Sequence, residues 1–147
     1  MIGVIAGNSE DFSSNAVELV GGGKVLTDDK YSSVNPAWRS TCIVNIVTRG
    51  WANHSSAQTV KDDITYIKGG AMRALDPLLG SYMNEADRND PLWPTNLYGT
   101  NYMRLALIKK KYDPTSVFYY PTCVGSQSWT QWYLDGAAYD PLCPTGL

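Results

Sequence analysis

A surplus of basic residues is missing from this sequence. Twelve Lys and Arg stand against fourteen Asp and Glu, for a formal net charge of −2, so no cationic field is available to neutralise a phosphate backbone. Nucleic acid is therefore not an expected partner. Long apolar runs are missing as well, since none reaches the roughly 18 residues of a membrane-spanning helix, and no membrane is expected. The opening Met1-Ile2-Gly3-Val4-Ile5-Ala6-Gly7 has no Lys or Arg ahead of it and gives way to Asn8-Ser9-Glu10-Asp11, so it does not read as an export signal. The localisation stays open. Three cysteines, Cys42, Cys123 and Cys143, are too few for a disulfide scaffold and too scattered for a zinc site. A single Cys123–Cys143 bridge and three free thiols both remain compatible with them. His54 is the only histidine, which supports neither a metal-ligand set nor a Ser-His-Asp triad.

What is present is enough sequence for one core. The 147 residues are 44% hydrophobic and include ten Tyr and five Trp, a composition foreign to disordered or coiled-coil chains. No repeat or long linker divides them, so a single domain over residues 1–147 is expected. It would have an irregular start over 1–30 and a turn-rich, less ordered tail over 130–147. Residues 1–40 read as short segments broken by turns at Gly21-Gly22-Gly23 and Asn35-Pro36. The β-branched residues between Trp38 and Trp51 predict a strand. Val60, Ile64, Ile67, Ala71, Leu75 and Leu78 recur at steps of three and four and predict a helix over 57–79, interrupted at Gly69-Gly70 and ending at Asp76-Pro77. Residues 82–87 read as a short extended stretch. A second helix is predicted over 98–112, with Tyr98, Tyr102, Leu105 and Ile108 or Lys109 inward, stopped by Asp113-Pro114. Val117-Phe118-Tyr119-Tyr120 reads as a buried strand. The fold class that follows is α+β, an antiparallel sheet with helices on one face.

Few of the local patterns carry chemistry. The glycine run before Lys24 invites a phosphate loop, but Glu18 stands where that pattern needs a glycine, so the run reads as a plain loop. Glu85, Asp87, Asn89 and Asp90 crowd together, yet Pro91 and Leu92 break a calcium-loop pattern, and the cluster reads as a solvated turn. If residues 82–87 are extended, Tyr82, Asn84 and Ala86 share one face. A strand so poor in core-forming residues suits the presentation of hydrogen-bonding groups to a flat polar ligand. The adjacent Tyr119 and Tyr120 leave at least one hydroxyl in need of a partner.

Six stretches occur in a fixed order: Tyr82-Met83-Asn84-Glu85-Ala86-Asp87, Tyr98-Gly99-Thr100-Asn101-Tyr102-Met103-Arg104-Leu105, Ile108-Lys109, Lys111-Tyr112-Asp113-Pro114, Val117-Phe118-Tyr119 and Val124-Gly125-Ser126. Together they resemble the C-terminal part of the berberine bridge enzyme-like, FAD-linked oxidases, particularly the fungal members. Asn35-Pro36-Ala37-Trp38-Arg39 resembles a strand entry in the substrate-binding half of the same family, and the likeness covers roughly residues 20–130. It implies FAD as cofactor, a small-molecule substrate and an α+β substrate domain facing the isoalloxazine. Tyr82, Asn84 and Tyr120 match cofactor-contacting positions. Glu85 stands where several relatives have a tyrosine base, and would act as catalytic base given partial burial. The family's flavin-binding half precedes the matched region, and residues 1–30 supply no pyrophosphate loop. The resemblance therefore implies a truncated or split oxidoreductase chain completed by a flavin-binding partner chain or N-terminal domain. It would expose aromatics such as Trp93, Tyr98 and Phe118 where that portion packs. The alternative is a non-enzymatic remnant or binding module that keeps the fold without flavin.

Overall fold

The computed structural model describes residues 13–27, 31–131 and 142–145. The reading of the first residues as lacking an export signal falls outside them. By its contacts the chain divides into two compact units, Met1–Thr100 and Asn101–Leu147.

The first unit is α+β. Strand β1 (Ser13–Leu19) pairs antiparallel with β2 (Ile43–Arg49), with Val17 opposite Asn45 and Asn15 opposite Val47. The β2 strand follows from Ile43, Val44, Ile46 and Val47, whose branched side chains suit a pleated surface. The β1 strand is one of the short segments of residues 1–40, and its type does not announce itself. Every β1 residue is exposed, so no buried face imprints an apolar alternation on its sequence. On one face of the pair the Ser14 and Thr48 hydroxyls hydrogen-bond at 2.6 Å. On the other, Arg49 reaches helical Asp63 at 2.8 Å.

The predicted first helix forms as one helical run: α1 (Ala57–Asp62), a π segment (Asp63–Lys68) and α2 (Gly69–Leu75). Asp76, ahead of Pro77, is extended (φ −150°, ψ 115°) and ends it. Gly69-Gly70 does not interrupt the run; the irregularity lies before it, where the Gly69 N–H reaches back to the Ile64 carbonyl across five residues. Residues 82–87 are not extended. The Glu85 N–H closes a turn onto the Tyr82 carbonyl at 3.0 Å, and the Asp87 carboxylate accepts the Asn89 N–H at 2.9 Å. The Glu85 donor that a strand would offer to a neighbour is thus spent inside a local turn.

A buried polar knot holds the first unit together. Asn35 caps the 3-10 turn Pro36–Arg39, its Oδ1 accepting the Ala37 N–H at 3.0 Å. Its Nδ2 donates at 2.8 Å to the Asn96 carbonyl in α3 (Trp93–Tyr98), which also accepts the Ser81 N–H at 2.7 Å. Gly80 and Gly99 let the backbone approach this side chain: a Cβ on either would lie 2.9 Å or less from an Asn35 atom, and Gly99 also has φ of 56°. Leu97 and Tyr98 are buried beside it.

In the second unit, α4 (Tyr102–Tyr112) carries the continuation of the second predicted helix, with Lys109 rather than Ile108 on the less exposed side. Residues 117–120 form no strand. The Asp113 carboxylate accepts the Val117 N–H at 2.7 Å and the Phe118 N–H at 3.1 Å, which diverts those donors from any ladder. Lys109 donates to the same carboxylate and to the Phe118 carbonyl. Within the expected tail, β3 (Trp129–Gln131) pairs antiparallel with β4 (Leu142–Pro144), and residues 132–141 lie outside the described ones. Cys42, Cys123 and Cys143 are unbridged.

Candidate functional site

An open, mainly apolar groove of about 610 Å³ runs through the first unit, between β2 and the helical run. Val17, Ile43 and Val47 line one side; Ile64 and Met72 line the other. Its end is polar. The phenol of Tyr82 stands edge-on to Trp38, with ring centroids 6.4 Å apart, so the 3-10 turn begun by Asn35-Pro36 positions the tyrosine. Asn84 Nδ2 donates to the Tyr82 hydroxyl at 2.6 Å. Glu85 lines the groove from the same turn. Behind this rim, Thr65 donates to the Asp87 carboxylate at 2.5 Å. Arg73 and Asn96 both reach the Asp90 carboxylate, Arg73 at 3.5 Å.

Tyr82, Asn84 and Glu85 therefore come together on one turn, although that turn is not the strand that motivated them. Their exposure differs from expectation. Glu85 is exposed rather than partly buried, and Tyr82 is 45% exposed. Tyr120 belongs to the second unit, where its N–H donates to the Cys123 sulfur at 3.5 Å. Of the aromatics expected at the surface, Phe118 is 78% exposed, Trp93 is partly covered and Tyr98 is buried. Tyr98 fails that expectation because it packs edge-on against Trp93 inside the knot.

Sequence reasoning did not single out Asn45, Thr65 or Arg73 as site residues. Thr65 sits beside Ile64 of the apolar stripe, but the π segment rotates it inward, to 3% exposure, in a way that 3.6-residue spacing does not anticipate. Asn45 carries a visible signal, a lone amide within the β-branched Ile43–Val47 run. Its Oδ1 is buried and has no hydrogen-bond partner among the described residues.

The donor set fits one part of a flavin nucleotide. A carboxamide donates and accepts in one plane, and a phenol does both at one atom, which suits the edge of a flat heteroaromatic ring. Asn84 spends one amide hydrogen on Tyr82 and retains the other together with its Oδ1. A pyrophosphate is not provided for. The Gly21-Gly22-Gly23 run leads only into the five-residue 3-10 turn Gly23–Thr27, without a helix to bind an anion.

The chain is similar to known proteins. Residues 81–125 match the family described as berberine and berberine like. The FAD-linked oxidoreductase hmp9 of Hypomyces subiculosus is 48% identical over 129 residues, which is 84% of this chain and 20% of the relative. The FAD-linked oxidoreductase patO of Aspergillus clavatus is 43% identical over 107 residues, 71% of this chain and 19% of the relative. The crystal structure of the VAO-type flavoprotein MtVAO713 from Myceliophthora thermophila C1 superposes with a TM-score of 0.85 at 38% identity, covering 97% of this chain and 25% of that one. The chain thus spans about a fifth to a quarter of these proteins. The family match, the relatives and the superposed structure together show that the chain belongs to the berberine bridge enzyme-like family of FAD-linked oxidoreductases, as a C-terminal fragment.

Proposed function

We propose that this chain forms the substrate-side wall of an FAD-linked oxidase, with most of the flavin site supplied by polypeptide outside these 147 residues. The observation that carries the reading is the Tyr82–Asn84 hydrogen-bonded pair beside Glu85 on one exposed turn, from which Tyr82 and Glu85 line the groove. Tyr82 and Asn84 hold the polar edge of the ring, and Trp38 keeps Tyr82 in place. Tyr120, carried over from the family resemblance, is a separate cofactor contact in the second unit. A flavin held there would supply two-electron chemistry, with hydride acceptance from a small organic substrate and return of both electrons to oxygen as hydrogen peroxide. Glu85 removes the proton that accompanies that hydride, from a hydroxyl, an amine or an acidic carbon. Closure by the remaining polypeptide excludes water from its carboxylate and brings it into its working state.

The test is anaerobic flavin reduction in an assembly of this chain with a flavin-bearing counterpart. Glu85→Gln lowers the reduction rate by about 100-fold or more at unchanged flavin content, and unchanged turnover removes Glu85 from the catalytic role. Asn84→Ala lowers flavin occupancy more than it alters folding, and equal occupancy counts against its role. One observation favours a second reading, a binding module without turnover: Glu85 is exposed here and has no side-chain hydrogen bond among the described residues. An assembly that stays colourless with added FAD selects that reading.

A further inference from the structure

We propose that Asn53 is an acceptor for N-linked glycosylation, and that Trp51, two residues ahead of it, is the platform on which the first sugar rests. Asn53-His54-Ser55 is the single Asn-x-Ser/Thr triplet of the sequence, and its middle residue is not proline. It lies between β2 and α1, where Asn53 opens the 3-10 turn His54–Ser56. Asn53 and Ser55 are both exposed, as an acceptor for a bulky hydrophilic group has to be. The Asn53 Oδ1 accepts the Ser55 N–H at 3.1 Å and so caps the turn, which leaves both Nδ2 hydrogens unspent among the described residues. The Ser55 hydroxyl, the group a transferase recognises in such a triplet, makes no hydrogen bond among them either.

The group transferred is an oligosaccharide carried through its reducing-end N-acetylglucosamine on a polyisoprenoid pyrophosphate. Asn53 Nδ2 bonds to the anomeric carbon, the bond from that carbon to the pyrophosphate oxygen breaks, and the polyisoprenoid pyrophosphate leaves. One Nδ2 proton goes to a base of the transferase, and nothing is oxidised or reduced. Trp51 is 43% exposed in spite of its size. The Lys61 ammonium stands 6.0 Å from its ring centroid, a cation over the electron-rich face of the indole. Two residues of chain reach at most about 7 Å, so a sugar on Nδ2 arrives beside that ring. The C–H groups on one face of a pyranose are polarised like the edge of an aromatic ring and pack on a π face as such an edge does. Covering the indole in this way also takes apolar area out of water.

Asn53 is modified in any form of this polypeptide that enters the secretory lumen, whether or not the flavin reading above holds. The test directs the full 147-residue chain into the endoplasmic reticulum of a eukaryotic host by an added cleavable leader, and scores only the lumenal protein. Expected is a mass increase of one oligosaccharide, released by peptide N-glycosidase and absent from both Asn53→Gln and Ser55→Ala. Trimmed to a single N-acetylglucosamine, the chain melts about 2–4 °C above its Asn53→Gln form. That gain is lost in the Trp51→Ala background, although the sugar is still attached. Lumenal chain without sugar overturns the acceptor assignment, as does sugar that persists in both Asn53→Gln and Ser55→Ala. A melting temperature that ignores the first sugar, or gains as much with Trp51→Ala, overturns the platform role of Trp51.

Discussion

The Asn35 knot and the β1–β2 hairpin lie in the same unit and solve opposite problems. Around Asn35, polar groups are buried and paired within the chain: one side chain caps a 3-10 turn, ties it to α3 and is approached by two glycines. In the hairpin, apolar side chains stay exposed, and the buried Asn45 Oδ1 lacks a donor among the described residues. The knot is complete as it stands, because satisfied buried hydrogen bonds fix one arrangement. The hairpin keeps its strand geometry with much of its apolar surface in water. A chain matching a fifth to a quarter of its relatives has reason to contain both kinds of region.

Substitution in the knot should hurt most. Gly99→Ala forces a residue with a Cβ to φ of 56° and places that atom 2.8 Å from Asn35 Oδ1. Strain and displacement together should remove about 3 kcal/mol or more of stability, read by urea unfolding of the chain. A loss below about 1 kcal/mol would show that the knot yields easily, and would erase the contrast. Asn35→Ala comes next, at about 1–3 kcal/mol, since it leaves the Ala37 N–H without its acceptor and the Asn96 carbonyl with one donor fewer.

Val17→Lys, in the hairpin, should change the stability of the isolated chain by no more than about 0.5 kcal/mol, because the side chain is already mostly in water. The same change should prevent assembly with the flavin-bearing counterpart. Substantial unfolding of the isolated chain would mean that the hairpin is as self-sufficient as the knot.

The smallest effect belongs to the second unit. The Lys109 ammonium, hydrogen-bonded to Asp113, holds that carboxyl below its ordinary value of 3.8, assisted by the Phe118 and Val117 N–H groups. A lowered folded value means the contribution is fully present above the ordinary value and is lost as pH falls through the folded one. The turn after α4 should therefore loosen only in strong acid, seen as faster exchange of the Val117 and Phe118 amides. Asp113→Asn should abolish that acid step, and a step that persists would assign it to another group.

Much of this contrast was legible in the sequence. Asn35-Pro36, the Val60–Leu75 stripe, Asp76-Pro77 and Asp113-Pro114 each act through local sterics or through burial inside the chain, so their residue types declare them. The stretches 82–87 and 117–120 misled because local acceptors take their backbone donors, the Tyr82 carbonyl that of Glu85 and the Asp113 carboxylate those of Val117 and Phe118, a competition that apolar patterning does not register. β1 escaped for another reason: a strand exposed along its whole length has no apolar alternation imposed on it. Of the site, Tyr82, Asn84 and Glu85 were recognisable by their order in the family stretch. Thr65 became visible only when the π segment was in place, while Asn45 stood out as a lone amide in the β2 run and gained meaning from its buried Oδ1, unpartnered among the described residues.

Titration of this chain into the flavin-loaded counterpart, followed by the flavin absorbance band, tests most directly whether it is a wall built for that ring. A saturable spectral change at one chain per flavin, weakened by Asn84→Ala, is the result expected. A spectrum that stays unchanged while both polypeptides remain folded would contradict it.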